Sequence, residues 1–441
     1  MWLLNTTTLV LHEFINANAP PYAILSHTWG PDEALFHEFQ NLNNIITQKI
    51  GFKKIAEFCE LAESLGFDYA WVDTACIDKR SSAELTEALN SMYKWYCDAG
   101  LCITYLVDVH KAAGTGDESR GAATSESQAD TFRESRWFNR VWTLQELIAC
   151  KIRRFYASDW SEITAHSLGE NIITLCSQIT SIPAEALWDL RPLSSYCIAE
   201  RMSWAAHRHS TRPEDITYSL MGIFRVNMPI LYGEGHQSAF RRLQEEIMKK
   251  SFDTTLFAWR GHYESSGLLA RSPADFAKTP ELGLWGVASL SPFSMTNVGV
   301  VIRPCLYNGG LASTSGGHLT QAALQCDVKT EEGWMVLLIR LQRVPDATCF
   351  INGRARAAWR RVDCNTWDLI AGDDLTGTAS QYEDMIVLED DHSELLGTAV
   401  KADDLRRIEN AWGRTPRSMV LSLDSNSISR ARVFKPSQWK R

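Results

Sequence analysis

Three short apolar runs, two of them followed by stretches of helical spacing, most constrain what this chain folds into. Tyr22-Ala-Ile-Leu-Ser26, Tyr69-Ala-Trp-Val-Asp73 and Leu101 to Val107 are strand-length and end in polar residues. Between the first two, Phe52, Ile55, Phe58, Cys59, Ala62 and Leu65 recur on one helical face, with Gly66 placed to stop the helix. Between the second and third, Leu85, Leu89, Met92 and Tyr96 make another such stripe, which ends at Gly100. Strands joined through helices need crossover connections, and these impose a parallel sheet.

Around this nucleus the pattern predicts further elements. Met1 to Phe14 reads as a first strand and Arg153 to Ala157 as a later one. His110 to Thr131, rich in Gly, Ser, Ala, Asp and Glu, reads as a loop or insertion. Residues 161–260 are mainly helical in pattern. Thr211-Arg-Pro-Glu214 has the form of a capping box. The helix expected over Ser238 to Lys250 would pair Glu245 with Lys249 and Glu246 with Lys250. After Gly261 short apolar runs alternate with turns: Val298–Ile302, Gln321–Cys326, Trp334–Leu341, Met385–Leu388 and Met419–Leu423, with turn signals at Asn308-Gly309 and Asn352-Gly353. The expectation is an α/β domain with a parallel sheet over 1–160, a helical extension over 161–260 packed on it, and a mostly antiparallel β-rich domain over 261–441.

Composition narrows the partners. A net charge of -9 and a pI of about 5.7 argue against a protein that holds nucleic acid through phosphate contacts. The 11 cysteines are odd in number and contain no CxxC pair, which argues against a disulfide scaffold or a thiolate zinc site. No metal and no tightly bound cofactor are expected. No run approaches the roughly 20 apolar residues that span a bilayer, and the first residues lack the secretory pattern. A soluble, cytoplasmic protein with reduced thiols is expected.

Three polar clusters follow or adjoin strand ends, where open α/β sheets bind ligands. In the first, Ser26, His27, Thr28, Trp29 and Gly30, the hydroxyls suit phosphate, His27 suits proton transfer, and Gly30 lets backbone approach a ligand; a capped turn over a core Trp29 is the alternative. It is not a phosphate-binding glycine loop, since the glycine spacing is missing. In the second, Asp73 suits a ribose hydroxyl and Asp78 a neighbouring contact, against a reading of both as loop caps. Cys76 reads as a buried structural thiol. The third is sharpest. Glu146 lies one helical turn after Trp142, so both leave one helix face. A carboxylate there can steady positive charge on a sugar ring as an N-glycosidic bond breaks, with Trp142 stacking on a base. The competing reading pairs Glu146 with Arg136 or Arg140 as a helix anchor. Arg201, Arg208, Arg212, Glu214 and Asp215 read as a salt-bridge network, with a phosphate clamp as the lesser alternative. Gly233 and Gly235 read as turn residues.

The blocks Tyr22-Ala-Ile-Leu-Ser-His-Thr-Trp-Gly30, Tyr69-Ala-Trp-Val-Asp-Thr-Ala-Cys-Ile-Asp-Lys79 and Arg140-Val-Trp-Thr-Leu-Gln-Glu-Leu147 resemble the fungal heterokaryon-incompatibility (HET) family, in family order. Arg201-Met-Ser-Trp-Ala205, Thr211-Arg-Pro-Glu-Asp215, Leu231-Tyr-Gly-Glu-Gly235 and Leu256-Phe-Ala-Trp259 resemble an extension found in many members. The resemblance implies a flavodoxin-like fold distantly similar to TIR domains, which often hydrolyse NAD. It also implies a part in non-self recognition and programmed cell death, and sites completed by self-association. On this resemblance Glu146, Asp73 and His27 would be catalytic, and Ser26, Trp29, Gly30, Asp78 and Trp142 would hold a nucleotide-like ligand, with NAD as substrate. Two alternatives stay open: a non-catalytic signalling or scaffold protein, and a HET-fold enzyme recruited to fungal small-molecule biosynthesis.

Overall fold

The computed structural model describes residues 1–15, 18–110, 125–188, 190–284, 292–307, 318–351, 354–372, 374, 381–382 and 384–389. The expected strand Met419–Leu423 and the turns Asn308-Gly309 and Asn352-Gly353 lie outside the described residues.

The N-terminal part is a mixed α/β unit around a seven-stranded sheet. Its strands are β1 (Trp2–Asn5), β2 (Leu11–Glu13), β3 (Ala23–His27), β4 (Tyr69–Trp71), β5 (Leu101–Tyr105), β6 (Arg153–Tyr156) and β7 (Glu162–Ile163), in the spatial order β2-β1-β4-β3-β5-β6-β7. The four parallel strands β4-β3-β5-β6 thus run second, first, third, fourth in chain order, the doubly wound arrangement. Every residue of β3 and β5 is buried, as helices on both faces require. The helix Ile50–Ser64 stops at Gly66, whose φ of +91° suits glycine. Two expectations are corrected. Residues 1–14 form a hairpin of two strands, with β1 antiparallel to β4, so the sheet is mixed at its edges. The expected loop over 110–131 carries a helix from Ser125 to Glu134; residues 111–124 lie outside the described residues.

Short helices fill the stretch from Ala165 to Phe224, followed by the longer helix His236–Met248. The Thr211–Glu214 capping box is not formed. Thr211 Oγ1 accepts from Arg140, and Glu214 takes the N–H groups of Gly233 and Gly235 at 2.9 and 3.1 Å. The exposed pairs also differ: Glu246 pairs with Lys249, Glu245 with Arg241, and Lys250 donates to the Arg225 carbonyl. From Ser265 onward eleven described strands form a second sheet, mostly antiparallel, led by Leu319–Thr330, Gly333–Ile351 and Arg354–Val362. One pair, Arg354–Val362 with Met385–Leu388, is parallel. Arg361 is fully buried here: it donates to the carbonyls of Phe257 (2.9 Å) and Trp259 (2.7 Å) and stacks on the Trp259 ring. One apolar cluster runs unbroken from Leu3 through Val387, so the helical stretch and both sheets share a core.

Candidate functional site

The three sequence clusters meet at a cavity of about 340 Å³ at the carboxyl ends of β3 and β4. The backbone supplies the position. β3 delivers His27 and the following Trp29, the turn after β4 delivers Asp73 and Lys79, and the helix Trp142–Ala149 delivers Trp142 and Glu146. The inner wall is apolar: Leu25, Ile77, Leu85, Leu89 and Met92 line it with Tyr96. Four of these come from the single helix Ser82–Asp98, whose stripe was legible at helical spacing.

Glu146 is 7% exposed and reaches the cavity wall. Ser26 Oγ donates to its Oε2 and accepts from Trp137 Nε1 at 2.8 Å. The Tyr96 hydroxyl, which donates to the Leu25 carbonyl at 3.0 Å, also bonds the carboxyl. Burial, reinforced by the negative charge of Asp73, pushes Glu146 up to about 8 against the pull of Ser26, Tyr96 and Arg208. Among the described residues Glu146 makes no ion pair within 4 Å. The expected alternative partners point elsewhere: the Arg136 side chain donates to Thr28 and that of Arg140 to Thr211.

Asp73 is the hub of the opposite wall. Its carboxylate contacts His27 Nε2 (3.1 Å), Trp29 Nε1 (2.9 Å) and Lys79 Nζ (3.5 Å). Burial alone would raise Asp73, but Lys79, His27 and Trp29 hold it well below the usual carboxylate range. His27 moves down through burial and the nearby charge of Lys54, and so is neutral at pH 7. With Nε2–H given to Asp73, its buried Nδ1 has no hydrogen-bond partner among the described residues. Lys79 sits 3.7 Å from the centre of the Trp29 ring, and Trp29 is 46% exposed at the cavity rim.

The structure brings His27, Trp29, Asp73, Trp142 and Glu146 together and leaves three of the singled-out residues off the cavity wall. Ser26 is fully buried behind Glu146. The Gly30 N–H is taken by Glu33 at 2.6 Å, and Glu33 by Lys54. Asp78 is held by Arg80 through three hydrogen bonds. Cys76 is buried and its thiol is pushed up to about 12 by burial, which gives no nucleophile. The arginine patch does not form the expected salt-bridge network among the described residues. Arg201 stacks on Phe224, and Arg208 donates to the carbonyls of Arg140 and Trp204 and to Thr143 Oγ1. Arg212 stacks on Tyr232.

Sequence reasoning missed part of the wall. Lys79, Arg140, Thr211, Arg212, Asp215 and Tyr232 all line the cavity. Tyr232 donates to Asp215 at 2.9 Å, and Asp215 also bonds the Trp142 side chain. The available signal was the Thr211–Asp215 block itself, which a network reading absorbed. The segment is stapled to the glutamate helix by backbone: His209 N donates to Asn139 O (2.6 Å) and Val141 N to His209 O (3.2 Å). A larger cavity of about 500 Å³, lined by Arg241, Arg242 and Arg271, holds none of the sequence-predicted residues.

Comparison with known proteins gives three results. A family model described as heterokaryon incompatibility protein (HET) matches residues 22–146. A second, described as a domain of unknown function (DUF8212), matches residues 238–290. Vegetative incompatibility protein HET-E-1 of Podospora anserina is 43% identical over 230 residues, which is 52% of this chain and 16% of that protein. No solved structure matches. No described helix is long and apolar enough to cross a membrane.

Proposed function

We propose, for a chain that belongs to the heterokaryon-incompatibility family through residues 22–146, that the cavity cleaves the N-glycosidic bond of NAD. The supporting observation is the placement of Glu146: a buried carboxyl at the wall of a ligand-sized cavity, with no ion pair within 4 Å among the described residues. A permanently cationic pyridinium entering this pocket favours the ionised carboxylate. As the bond from C1′ to the ring nitrogen breaks, its electron pair leaves with neutral nicotinamide and positive charge builds on the ribose, where Glu146 steadies it. Trp142 packs the leaving ring. Water then adds at C1′ and gives its proton to the Glu146 carboxylate; His27, whose second nitrogen is buried, serves to hold Asp73 in place. The products are nicotinamide and ADP-ribose. Ser26 acts through Glu146 rather than on the ligand.

In the cell this reading makes the chain an effector of incompatibility and cell death; the name of the Podospora relative, vegetative incompatibility protein, fits the first of these. The chain spans 16% of that protein. A second reading, a non-catalytic signalling protein, is favoured by one observation: burial keeps Glu146 largely protonated at pH 7 in the free protein.

The test is incubation of purified protein with NAD at several protein concentrations, with products separated by chromatography beside Glu146→Gln. Nicotinamide and ADP-ribose should form, and at least 100-fold more slowly in the variant. No product in either sample, assembled material included, would move the chain to the signalling reading. Equal rates would remove Glu146 from the chemistry.

A further inference from the structure

The cavity is electrically polarised along its depth. Its buried end holds Glu146 among Leu25, Met92 and Tyr96. Its mouth carries two arginines from separate stretches, Arg140 ahead of the glutamate helix and exposed Arg212 from the stapled segment, whereas the Lys79 ammonium is buried against Asp73 and Trp29. Neither arginine makes an ion pair within 4 Å among the described residues. Arg140 donates to Thr211 at a long 3.4 Å, and Arg212 lies over the Tyr232 ring at 4.2 Å. Asp215, which lines the same cavity, accepts from Tyr232 and bonds Trp142, and its single charge can offset only one of the two arginines. Two arginines against one carboxylate leave the mouth net positive, which favours an entering anion. Arginine is also the side chain best shaped for phosphate oxygens.

We propose that Arg140 and Arg212 form a phosphate-recognising rim, so that the cavity accepts a mononucleotide whose cationic ring faces Glu146 and whose phosphate meets the rim. This deepens the NAD reading and rests on it. Size supports the limit to one nucleotide. Ligand cavities run from about 300 to 1,000 Å³, and 340 Å³ lies near the bottom of that range. The nicotinamide mononucleotide half is enclosed, and the adenosine half lies outside the rim. Adenosine then adds little to recognition, whereas the phosphate next to the nicotinamide ribose is required.

The test measures binding to the intact chain carrying Glu146→Gln, which suppresses turnover, by calorimetry with NAD, nicotinamide mononucleotide and nicotinamide riboside. The mononucleotide should bind within about 10-fold of NAD, and the phosphate-free riboside at least 10-fold more weakly than the mononucleotide. Adding Arg140→Gln or Arg212→Gln, which keep much of each stem, should each weaken the mononucleotide by about 10-fold and leave the riboside unchanged. Circular dichroism checks that these variants fold. Riboside binding as tightly as mononucleotide, or a phosphate preference untouched by both arginine variants, overturns the rim while leaving the NAD reading standing. NAD binding more than 100-fold tighter than the mononucleotide overturns the one-nucleotide limit. If no nicotinamide compound binds and wild-type protein yields no product from NAD, the parent reading fails as well.

Discussion

Glu146 ionises in a range that most carboxyls have left behind, and this ties its chemistry to stability. Its pKa of about 8 stands above the ordinary 4.5, so the folded state binds this proton more tightly than the unfolded chain does. The stability it contributes is fully present below about pH 4.5 and is lost as pH rises through about 8. Glu146→Gln lacks that loss. In urea titrations the variant should therefore gain on wild type by about 4 kcal/mol between pH 5 and pH 9; a gap that stays constant would show a freely ionising carboxyl. Glu146 and Trp142 were legible in the sequence because helical spacing alone puts them on one face. The roles of Ser26, Gly30 and Asp78 were less so. Strand ends announce that a polar residue lies near a ligand site but not which way it turns: Ser26 points to Glu146, Gly30 to Glu33, and Asp78 to Arg80.

The helix Ser82–Asp98 carries four residues to the cavity, so its seat matters to the site. The short helix Met221–Phe224 presses on its other side through Gly222, where an added Cβ would stand 2.2 Å from Tyr93 Cβ. Gly222→Ala should cost about 2–3 kcal/mol in urea unfolding and slow NAD turnover with it; wild-type stability would show that the two helices part freely. The helices and parallel strands were readable because each has its own apolar period. The capping box was not. Thr211 and Glu214 hold the right spacing, but each finds a partner far away in sequence, Arg140 for one and the Gly233–Gly235 turn for the other. Local propensity of about 1 kcal/mol is easily outweighed by such tertiary bonds. The rim was hidden for the same reason: Arg140 and Arg212 lie scores of residues apart until the fold joins them.

At the scale of the molecule, the shared core from Leu3 to Val387 makes the sheets and the helical stretch depend on one another. Arg361 is the point where this dependence is most exposed to test. It is fully buried, its charge is met by two backbone carbonyls and an indole ring, and burial draws its pKa down to about 10. Arg361→Met would leave the Phe257 and Trp259 carbonyls without this donor. It should lower stability by about 3 kcal/mol, with tryptophan fluorescence and far-ultraviolet circular dichroism still reporting coincident unfolding. Two separated transitions would show that the core does not act as one.

The staple between residues 139–141 and 209 bears on how such a module can be moved between proteins. A graft cut at residue 146, where the family match ends, would carry away the floor and one bank of the basin and leave Thr211, Arg212, Asp215 and Tyr232 behind. The smallest transplantable piece that keeps its banks therefore reaches at least to the turn at Gly235.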